Sequence, residues 1–231
     1  MIDNKRILAI IPARGGSKRL PRKNILNLAG KPLIAWSIES ALASKYIDRV
    51  IVSSDDDEIA AISEKYGADV PFMRPADLAT DESTSIDVVL YTIEALRGID
   101  EQYDYVILLQ PTSPLRQAKH IDDSISQMIN KGSDAIISVC ESEHHPLWNN
   151  TLDSDMSMDN FLEASIRNKR SQDLEKQYRI NGSIYISSIE KLKKENSFFL
   201  RKNCSAYIMN QDVSIDIDKK IDLDLASLIL K

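Results

Sequence analysis

The chain has 231 residues, which is enough for one large domain with a substantial hydrophobic core. Its net charge of −6 argues against a general nucleic-acid binder, because the basic surface of such a protein should dominate. No apolar run approaches the length of a membrane span, and the two cysteines do not make a disulfide framework. We therefore expect a cytoplasmic protein that partners neither nucleic acid nor membrane.

The first strongly patterned stretch is a short apolar run followed directly by a basic loop. Residues 7–11 read Ile-Leu-Ala-Ile-Ile, which is typical of a strand buried on both faces of a parallel sheet. The loop that follows Pro12 carries two glycines, a serine and five cations. Ligands of open α/β sheets bind beyond the carboxyl ends of the strands, so this loop is a candidate anion-binding site.

The charge of the chain is distributed unevenly. From Asn4 to Ile38 there are eight Lys and Arg residues and no Asp or Glu, so the rest of the chain carries a net charge of −14. A concentrated positive segment in an acidic protein suggests a small polyanion, such as a nucleotide or a sugar phosphate. The alternative is a solvated surface turn, which is what most charge runs are. The position at the end of a strand favours a binding site.

Further along, apolar runs alternate with stretches in which apolar residues recur at helical spacing. We predict strands at residues 7–11, 49–53, 105–109 and 135–139, with shorter extended pieces at 70–73, 183–186, 206–209 and 214–218. Helical stripes run through residues 34–42, 59–66 and 86–96, and further helices are predicted over 118–130 and 220–230. This alternation predicts an α/β fold with a Rossmann-like, mostly parallel sheet flanked by helices. The last helix places four apolar residues on one face: Ile221, Leu225, Leu228 and Ile229.

The alternation breaks between residues 141 and 182, where the chain is polar and irregular. A loop of this length inside a compact domain is usually functional or pairs with another surface. We therefore assign residues 1–140 and 183–231 to an α/β domain and residues 141–182 to an inserted arm. Within the arm, His144-His145 is expected to pack or cap, because two adjacent histidines seldom share a metal.

Two common phosphate-binding loops are absent from the sequence. Gly15-Gly16 lacks the third glycine of the dinucleotide fingerprint, and Gly30-Lys31 is followed by proline, which a Walker loop excludes. Moving the α-phosphate of a triphosphate still requires cations, backbone donors and usually a divalent metal. Arg14, Ser17 and Lys23 supply the first two requirements from one loop.

Carboxylates suited to a metal occur near the end of the chain. Asp216 and Asp218 alternate with apolar residues, which places both carboxylates on one side of an extended segment. Magnesium typically takes one or two carboxylates together with substrate phosphates, so this pair fits the requirement. The alternative is the polar face of an edge strand. The cluster Asp55-Asp56-Asp57 is a rival, although caps and turns explain such clusters more often.

The third strong strand ends in Gln110-Pro111-Thr112-Ser113-Pro114. The two prolines stiffen this turn and leave Gln110 and the hydroxyls free to hydrogen-bond a polar ligand. A purely structural turn would also tolerate the same residues.

Together these segments resemble the acylneuraminate cytidylyltransferases, the synthetases that make CMP-sialic acid and related CMP-nonulosonates. The matching segments follow one another over nearly the whole chain, at residues 10–18, 23–24, 74–75, 109–114, 179–185 and 214–218. The resemblance implies a GT-A-like nucleotidyltransferase fold, CTP and a nonulosonic acid as substrates, and Mg²⁺ as cofactor. It also implies a homodimer formed through the inserted arm.

The resemblance further implies roles for individual residues. The catalytic residues it implies are Lys23, Arg14, Asp216 and Asp218, with the two aspartates holding the metal and Lys23 stabilising charge on the α-phosphate. The residues implied for CTP are Ala13, Arg14, Ser17, Lys23, Asn24 and Arg74. Those implied for the sugar are Gln110, Thr112, Asn181, Tyr185, Phe198 and Phe199, together with Arg170 and Arg179, which would reach the active site of the partner.

The identity of the sugar stays open at this point. The segment 143–148 matches only part of the family, the members that act on legionaminic acid. The expected sugar is N-acetylneuraminate or legionaminate, with pseudaminate and the eight-carbon acid Kdo as alternatives. Kdo synthetases usually carry a different loop from Gly15-Gly16-Ser17-Lys18. The chain also departs from the family pattern at Ile180, where proline is frequent. A non-catalytic nucleotide-sugar-binding protein is the remoter alternative, and retention of both aspartates argues against it.

Overall fold

A six-stranded β-sheet organises the described part of the chain, residues 4–230, in the computed structural model. In chain order the strands are β1 (Ile7–Pro12), β2 (Asn27–Leu28), β3 (Lys31–Pro32), β4 (Arg49–Ser53), β5 (Tyr105–Leu108), β6 (Ala135–Glu141), β7 (Tyr178–Ser188) and β8 (Cys204–Ile208). The large sheet has the order β4-β1-β5-β7-β6-β8, and β2 and β3 form a separate hairpin. β7 runs antiparallel to both neighbours, whereas the other adjacent pairs are parallel. The predicted mostly parallel α/β sheet is confirmed.

The helices begin where the sequence offers caps. They are α1 (Leu33–Leu42), α2 (Asp57–Lys65), α3 (Ser85–Arg97), α4 (Ala118–Lys131), α5 (Ile189–Glu195) and α6 (Lys220–Ile229). The Asp56 side chain caps α2 by accepting a hydrogen bond from the Ile59 amide at 3.0 Å. Thr84 and Asp87 form a reciprocal capping box at the start of α3. Among the described helices, none is both long and apolar enough to cross a bilayer.

Helices cover both faces of the large sheet, and β1 lies between them. Its odd-numbered residues, such as Ile11, pack in a core cluster with α1, α2 and α4. Its even-numbered residues, such as Ile10, pack in a second cluster with α3 and α5. All five residues from Ile7 to Ile11 are buried, which confirms the prediction of a strand buried on both faces.

Parallel strands bring three loops to one edge of the sheet. The Ala13 amide donates to the Ser53 carbonyl at 3.0 Å, and the Leu109 amide donates to the Ile10 carbonyl at 3.0 Å. The carboxyl ends of β1, β4 and β5 therefore lie side by side. The basic loop, the aspartate cluster and the turn beginning at Gln110 all follow these ends.

Two of the shorter predicted extended pieces do not join the sheet as strands. Residues 70–73 form no strand, and an isolated bridge between Ile51 and Asp69 lies just before them. Residues 214–218 also lie outside the described strands, although Ile217 is fully buried and both flanking aspartates point outward. The predicted alternation of buried and outward side chains at residues 216–218 is therefore correct. It comes from the packing of Ile217 in the core and does not need hydrogen bonding to a neighbouring strand.

The sheet also extends into the region assigned to the inserted arm. β6 continues to Glu141, and β7 begins at Tyr178, five residues before the predicted boundary at residue 183. The arm is accordingly residues 142–177. These described residues contain short 3-10 turns but neither a strand nor an α-helix. His145 caps one of those turns by accepting from the Leu147 amide, as expected.

The apolar stripe of α6 faces solvent, in contrast to the usual arrangement in which such a stripe packs on the core. Ile221 is 70% exposed and Leu228 is 67% exposed. The opposite face of the helix carries Leu223 and Ala226, which are buried against the region of the β2–β3 hairpin around Leu28. α6 therefore has apolar residues on two faces, and periodicity alone does not show which face packs.

Two leucines on α6 should respond differently to the same substitution. We expect Leu223→Ala to lower the free energy of unfolding by about 2–5 kcal/mol, because it opens a cavity in the core. The matched control Leu228→Ala should change it by no more than about 0.5 kcal/mol, because that side chain is exposed. Urea denaturation of both variants measures the difference. Equal losses would show that the outer face of α6 is packed.

Candidate active site

A cleft of about 500 Å³ opens at the carboxyl ends of β1 and β5. It lies where ligands of open α/β sheets bind. The predicted site residues on its walls are Arg14, Ser17, Lys23, Asn24, Arg74, Gln110, Thr112 and Asp218. Four separate stretches of sequence are thus brought to one cavity. Ala13, also predicted, is fully buried at the root of the basic loop.

Lys23 joins the basic loop to the acidic segment near the end of the chain. Its Nζ donates to the Asp218 Oδ1 at 3.1 Å and to the Ile217 carbonyl at 2.7 Å. Arg19 donates to the other oxygen of Asp218 at 2.6 Å. Partial burial works to raise the pKa of Asp218, but the bonds and charges of these two cations outweigh it and lower the pKa below its usual value.

Asp216 has a different electrostatic environment from Asp218. It is open to solvent on one side, yet the surrounding protein buries the carboxyl enough to raise its pKa. The charge of Asp218 adds to this rise, and a hydrogen bond from Thr112 opposes it. The Thr112 carbonyl also accepts from the Ile217 amide at 2.8 Å. The turn after β5 therefore holds the segment that carries both carboxylates.

The basic loop is anchored by buried polar contacts. Asn24 is buried and donates from Nδ2 to the Arg14 carbonyl at 3.0 Å. The Gly15 amide donates to Asp55 at 3.1 Å, and a Cβ at Gly15 would lie 2.6 Å from an oxygen of Asp56. Glycine is therefore required here, because the backbone approaches the start of α2 too closely for a side chain.

Arg74 contacts Asp55, the same carboxylate that accepts from the Gly15 amide. Its guanidinium is buried and donates to Asp55 at 3.2 Å, and its amide donates to the Ser54 carbonyl at 2.7 Å. Burial lowers the pKa of Arg74, and the contact with Asp55 opposes that shift. The aspartate cluster therefore caps α2 and holds Arg74 and the loop, which confirms the prediction of caps and turns.

Asp81 is a site residue that the sequence did not reveal. Arg14 pairs with it at 2.8 Å and donates to the Thr80 carbonyl at 2.8 Å, and Lys18 pairs with the other oxygen of Asp81. The hydrogen bond from Lys18 lowers the pKa of Asp81 the most, and the hydrogen bond from Arg14 lowers it further. The sequence offers only a weak signal for Asp81. The basic loop has no acids of its own, so its counter-charges must come from elsewhere, and Asp81 is an acidic residue in an irregular loop before α3.

Aromatic side chains form a cluster around Tyr185. The ring of Tyr185 is 5.8 Å from that of Phe198 and 6.2 Å from that of Phe199. Burial raises the pKa of Tyr185, and the nearby charge of Asp216 adds to the rise. Phe198 is buried and Phe199 is half-exposed. Three predicted sugar-side residues therefore form one cluster next to Asp216.

Close approach between β7 and the turn after β5 completes this side of the site. Gly182 has φ +73, a left-handed conformation that favours glycine, and a Cβ there would lie 3.3 Å from the Gln110 Oε1. The glycine thus lets the strand that carries Tyr185 pack directly on Gln110.

Arg179 makes a two-point contact with Glu143 at the root of the arm. Its Nε donates to Oε2 at 2.9 Å and its Nη2 donates to Oε1 at 2.5 Å. This contact lowers the pKa of Glu143 to about 2, and it also raises the pKa of Arg179, as does the charge of Asp216. Glu143 is a second residue that the sequence did not indicate as a partner.

Besides Ala13, seven predicted residues do not line the cleft: Asp216, Arg170, Arg179, Asn181, Tyr185, Phe198 and Phe199. Asn181 is buried, accepts from the Ser138 hydroxyl at 2.6 Å and donates to the Ser214 hydroxyl at 2.9 Å. Its amide is therefore used to hold the segment before Asp216, and the side chain does not line the cleft. Arg170 lies in the arm, is exposed and does not line the cleft of its own chain.

The fold is shared with solved nucleotidyltransferases. A CMP:2-keto-3-deoxy-manno-octonic acid synthetase solved in complex with CTP superimposes with a TM-score of 0.69, at 18% identity over 97% of this chain and 98% of that one. A 4-diphosphocytidyl-2C-methyl-D-erythritol synthase from Anaerococcus prevotii superimposes with a TM-score of 0.66, at 20% identity over 99% of this chain and 97% of that one. The cleft and the sheet thus define a Rossmann-like nucleotidyltransferase fold.

The cytidylyltransferase family matches residues 8–187, a span that includes both the basic loop and the turn after β5. The chain belongs to this family and is a nucleotidyltransferase. The family membership confirms the resemblance inferred from the sequence.

Relatives that carry different sugars in their names match at similar identity. A CMP-N,N'-diacetyllegionaminic acid synthase of Legionella pneumophila is 38% identical over 98% of this chain and 97% of its own length. A pseudaminic acid cytidylyltransferase of Campylobacter jejuni is 36% identical, with 97% and 96% covered. An N-acylneuraminate cytidylyltransferase of Escherichia coli is 38% identical over 96% of this chain, which spans 51% of that relative.

The contact between Arg179 and Glu143 predicts a pH effect. Because the pKa of folded Glu143 is depressed to about 2, its contribution to stability is present above the unfolded value and is lost as pH falls from about 4.5 to 2. Both side chains are partly exposed, so the contribution should stay below about 1 kcal/mol. Arg179→Gln should return the pKa of Glu143 toward its ordinary value in an NMR titration.

The matched control is Lys176→Gln, which removes a neighbouring exposed pair with Glu141. This variant should leave the pKa of Glu143 unchanged. A Glu143 pKa that stays near 2 in Arg179→Gln would mean that another group holds the carboxylate.

Proposed function

We propose that the protein transfers CMP from CTP to a nonulosonic acid and releases pyrophosphate, with Mg²⁺ as cofactor. The observation that carries the proposal is the contact of Lys23 with Asp218, which brings the cationic loop and one carboxylate of the acidic pair to the same cleft. Relatives whose names specify CMP-nonulosonate synthesis support it at 36–38% identity. A cytoplasmic location is part of the proposal, because CTP is an intracellular nucleotide.

In this reaction the anomeric hydroxyl of the sugar acid attacks the α-phosphorus of CTP. A new P–O bond forms while the bond between the α-phosphorus and the α–β bridging oxygen breaks. Pyrophosphate leaves with that oxygen, and the hydroxyl proton passes to solvent. Lys23 would stabilise charge that develops on the α-phosphate, and Arg14 and Ser17 would hold the phosphates from the same loop. Arg74, held rigidly by Asp55, would contact the nucleotide.

The residues present fit a magnesium site. The site would be a two-carboxylate site, because the described residues contain no group of three or more His, Cys, Asp or Glu side chains placed to hold a metal. Asp216 and Asp218 supply two carboxylates, and magnesium usually takes one or two together with substrate phosphates. Bound there, the ion would neutralise charge on the phosphates of CTP.

The sugar would lie on the far side of the acidic pair. Gln110 and Thr112 offer hydrogen-bonding groups at the cleft wall, and Tyr185 with Phe199 offers an aromatic surface. The guanidinium of Arg179 is our candidate for binding the carboxylate of a sugar acid, because it lies close enough to Asp216 for that charge to raise its pKa. We take N-acetylneuraminate or legionaminate as the first candidates and pseudaminate as the next.

Pyrophosphate release tests this proposal. The protein is mixed with Mg²⁺, CTP and, separately, neuraminic, legionaminic, pseudaminic or Kdo acids. We expect release with at least one of the three nine-carbon acids and little with Kdo. Release with Kdo alone would contradict the sugar class. Binding of CTP without release from any mixture would favour a non-catalytic nucleotide-sugar-binding protein.

The same assay should include Asp218→Asn and a matched control. We expect Asp218→Asn to lower kcat by about 100-fold or more while the fold remains intact, because the pair loses one charged ligand. Asp212→Asn removes an exposed carboxylate six residues earlier, outside the cleft lining, and should keep full activity. Near-normal turnover by Asp218→Asn would remove the acidic pair from the mechanism.

We also propose that the arm, residues 142–177, forms a homodimer and brings Arg170 to the active site of the partner. The arm exposes Leu147, Leu152, Met156 and Met158 at 45–66%, and a set of exposed large apolar side chains is typical of a protein interface. Its lack of strands and α-helices in the described residues means that little within the arm covers these side chains.

Mixing two inactive variants tests whether the active site is shared. Arg170→Ala and Asp218→Asn should each be poorly active alone. If the arm completes the site of the partner, mixed dimers should recover about a quarter of wild-type activity, since half the dimers are mixed and each has one intact site. Sedimentation of the wild type should show a dimer. Full activity of Arg170→Ala, or no recovery on mixing, would contradict the proposal.

A further inference from the structure

A buried arginine lies behind the candidate site without an acidic partner among its hydrogen bonds. Arg116, two residues before α4, is 2% exposed. Its guanidinium donates to two backbone carbonyls and one hydroxyl. Burial lowers the pKa of Arg116 to about 9. Burying a cation without a counter-ion is costly, and an apolar side chain of similar volume is often as stable or more stable at such a position.

The contacts of Arg116 join three elements of the fold. Its Nη1 donates to the Ser183 carbonyl of β7 at 2.7 Å and to the Gln110 carbonyl at 3.3 Å. Its Nη2 donates to the Ser37 hydroxyl of α1 at 2.6 Å. Because the guanidinium is planar and its donors are fixed relative to one another, it sets the spacing of all three acceptors. A methionine could fill the volume but could not make these bonds.

Two of these elements hold the acidic segment. The turn that begins at Gln110 contributes Thr112, whose carbonyl accepts from the Ile217 amide at 2.8 Å. β7 contributes Asn181, which donates to Ser214 at 2.9 Å. The segment 214–218 is therefore attached on one side to the turn and on the other to β7, and Arg116 ties the turn to β7.

We propose that Arg116 is a positioning residue, which fixes the turn after β5 against β7 and thereby places Asp216 and Asp218 opposite Lys23. The side chain of Arg116 is buried and does not line the cleft. The role in turnover rests on the proposed function, but the structural coupling between Arg116 and the segment 214–218 does not.

Hydrogen–deuterium exchange of Arg116→Met tests the coupling without reference to activity. We expect the Ile217 amide to exchange about tenfold faster or more, because its acceptor on Thr112 is no longer held, while amides of β1 and β4 change by less than about twofold. The control Ile125→Val disturbs the α4 core without touching the turn, and it should leave Ile217 unchanged. If Arg116→Met folds poorly, Arg116→Lys replaces it, because lysine keeps the positive charge but lacks the planar arrangement of several N–H donors.

Kinetics separate positioning from a general structural role. In Arg116→Met we expect kcat to fall about tenfold or more while KM for CTP stays within about threefold, because Arg14 and Arg74 are held by other contacts. Unchanged Ile217 exchange, or acceleration spread evenly over the whole sheet, would overturn the proposal. If wild type releases no pyrophosphate with any sugar, the proposed function fails while the exchange result still decides the coupling.

Discussion

The contact between Lys23 and Asp218 is the interaction on which the rest of the site depends. It joins a loop after the first strand to a segment before the last helix, so the cleft exists only once the sheet between them has formed. Lys23 also holds the Ile217 carbonyl, which fixes the backbone as well as the carboxylate. In a partly buried cleft such a contact is screened less by salt than one at the open surface.

Folding brings together charges that the sequence keeps apart. The basic segment from Asn4 to Ile38 contains no acids, yet in the folded chain the cations of the basic loop meet carboxylates from three distant stretches, at Asp56, at Asp81 and at Asp218. The loop is therefore held in place by scattered acids before any anion binds. Asp216 is the exception, since burial and a neighbouring like charge dominate its environment.

The sequence allowed the longer strands, five of the six described helices and eight residues of the cleft wall to be predicted, because each depends on local periodicity or on a short motif. The helix α5 and the short β2–β3 hairpin were not predicted. Features that depend on long-range pairing could not be predicted in the same way. The direction of β7 depends on which strands it pairs with, and the exposed stripe of α6 depends on which face of the helix packs on the core. The hydrophobic pattern of the sequence is the same for a parallel or antiparallel strand and for either face of the helix. The pairs of Asp81 and Glu143 with distant cations have no characteristic spacing. The motif located Asn181 correctly but did not show that its amide is used inside the protein.

The reversed direction of β7 has a consequence for how this enzyme can change. The chain leaves the sheet at the end of β6 and re-enters it at the start of β7, and because the two strands are antiparallel both points lie on the same rim as the cleft. Residues added to or removed from this connection alter that rim without disturbing any strand. The length and sequence of this one connection can therefore vary while the sheet and the cleft at its edge stay the same.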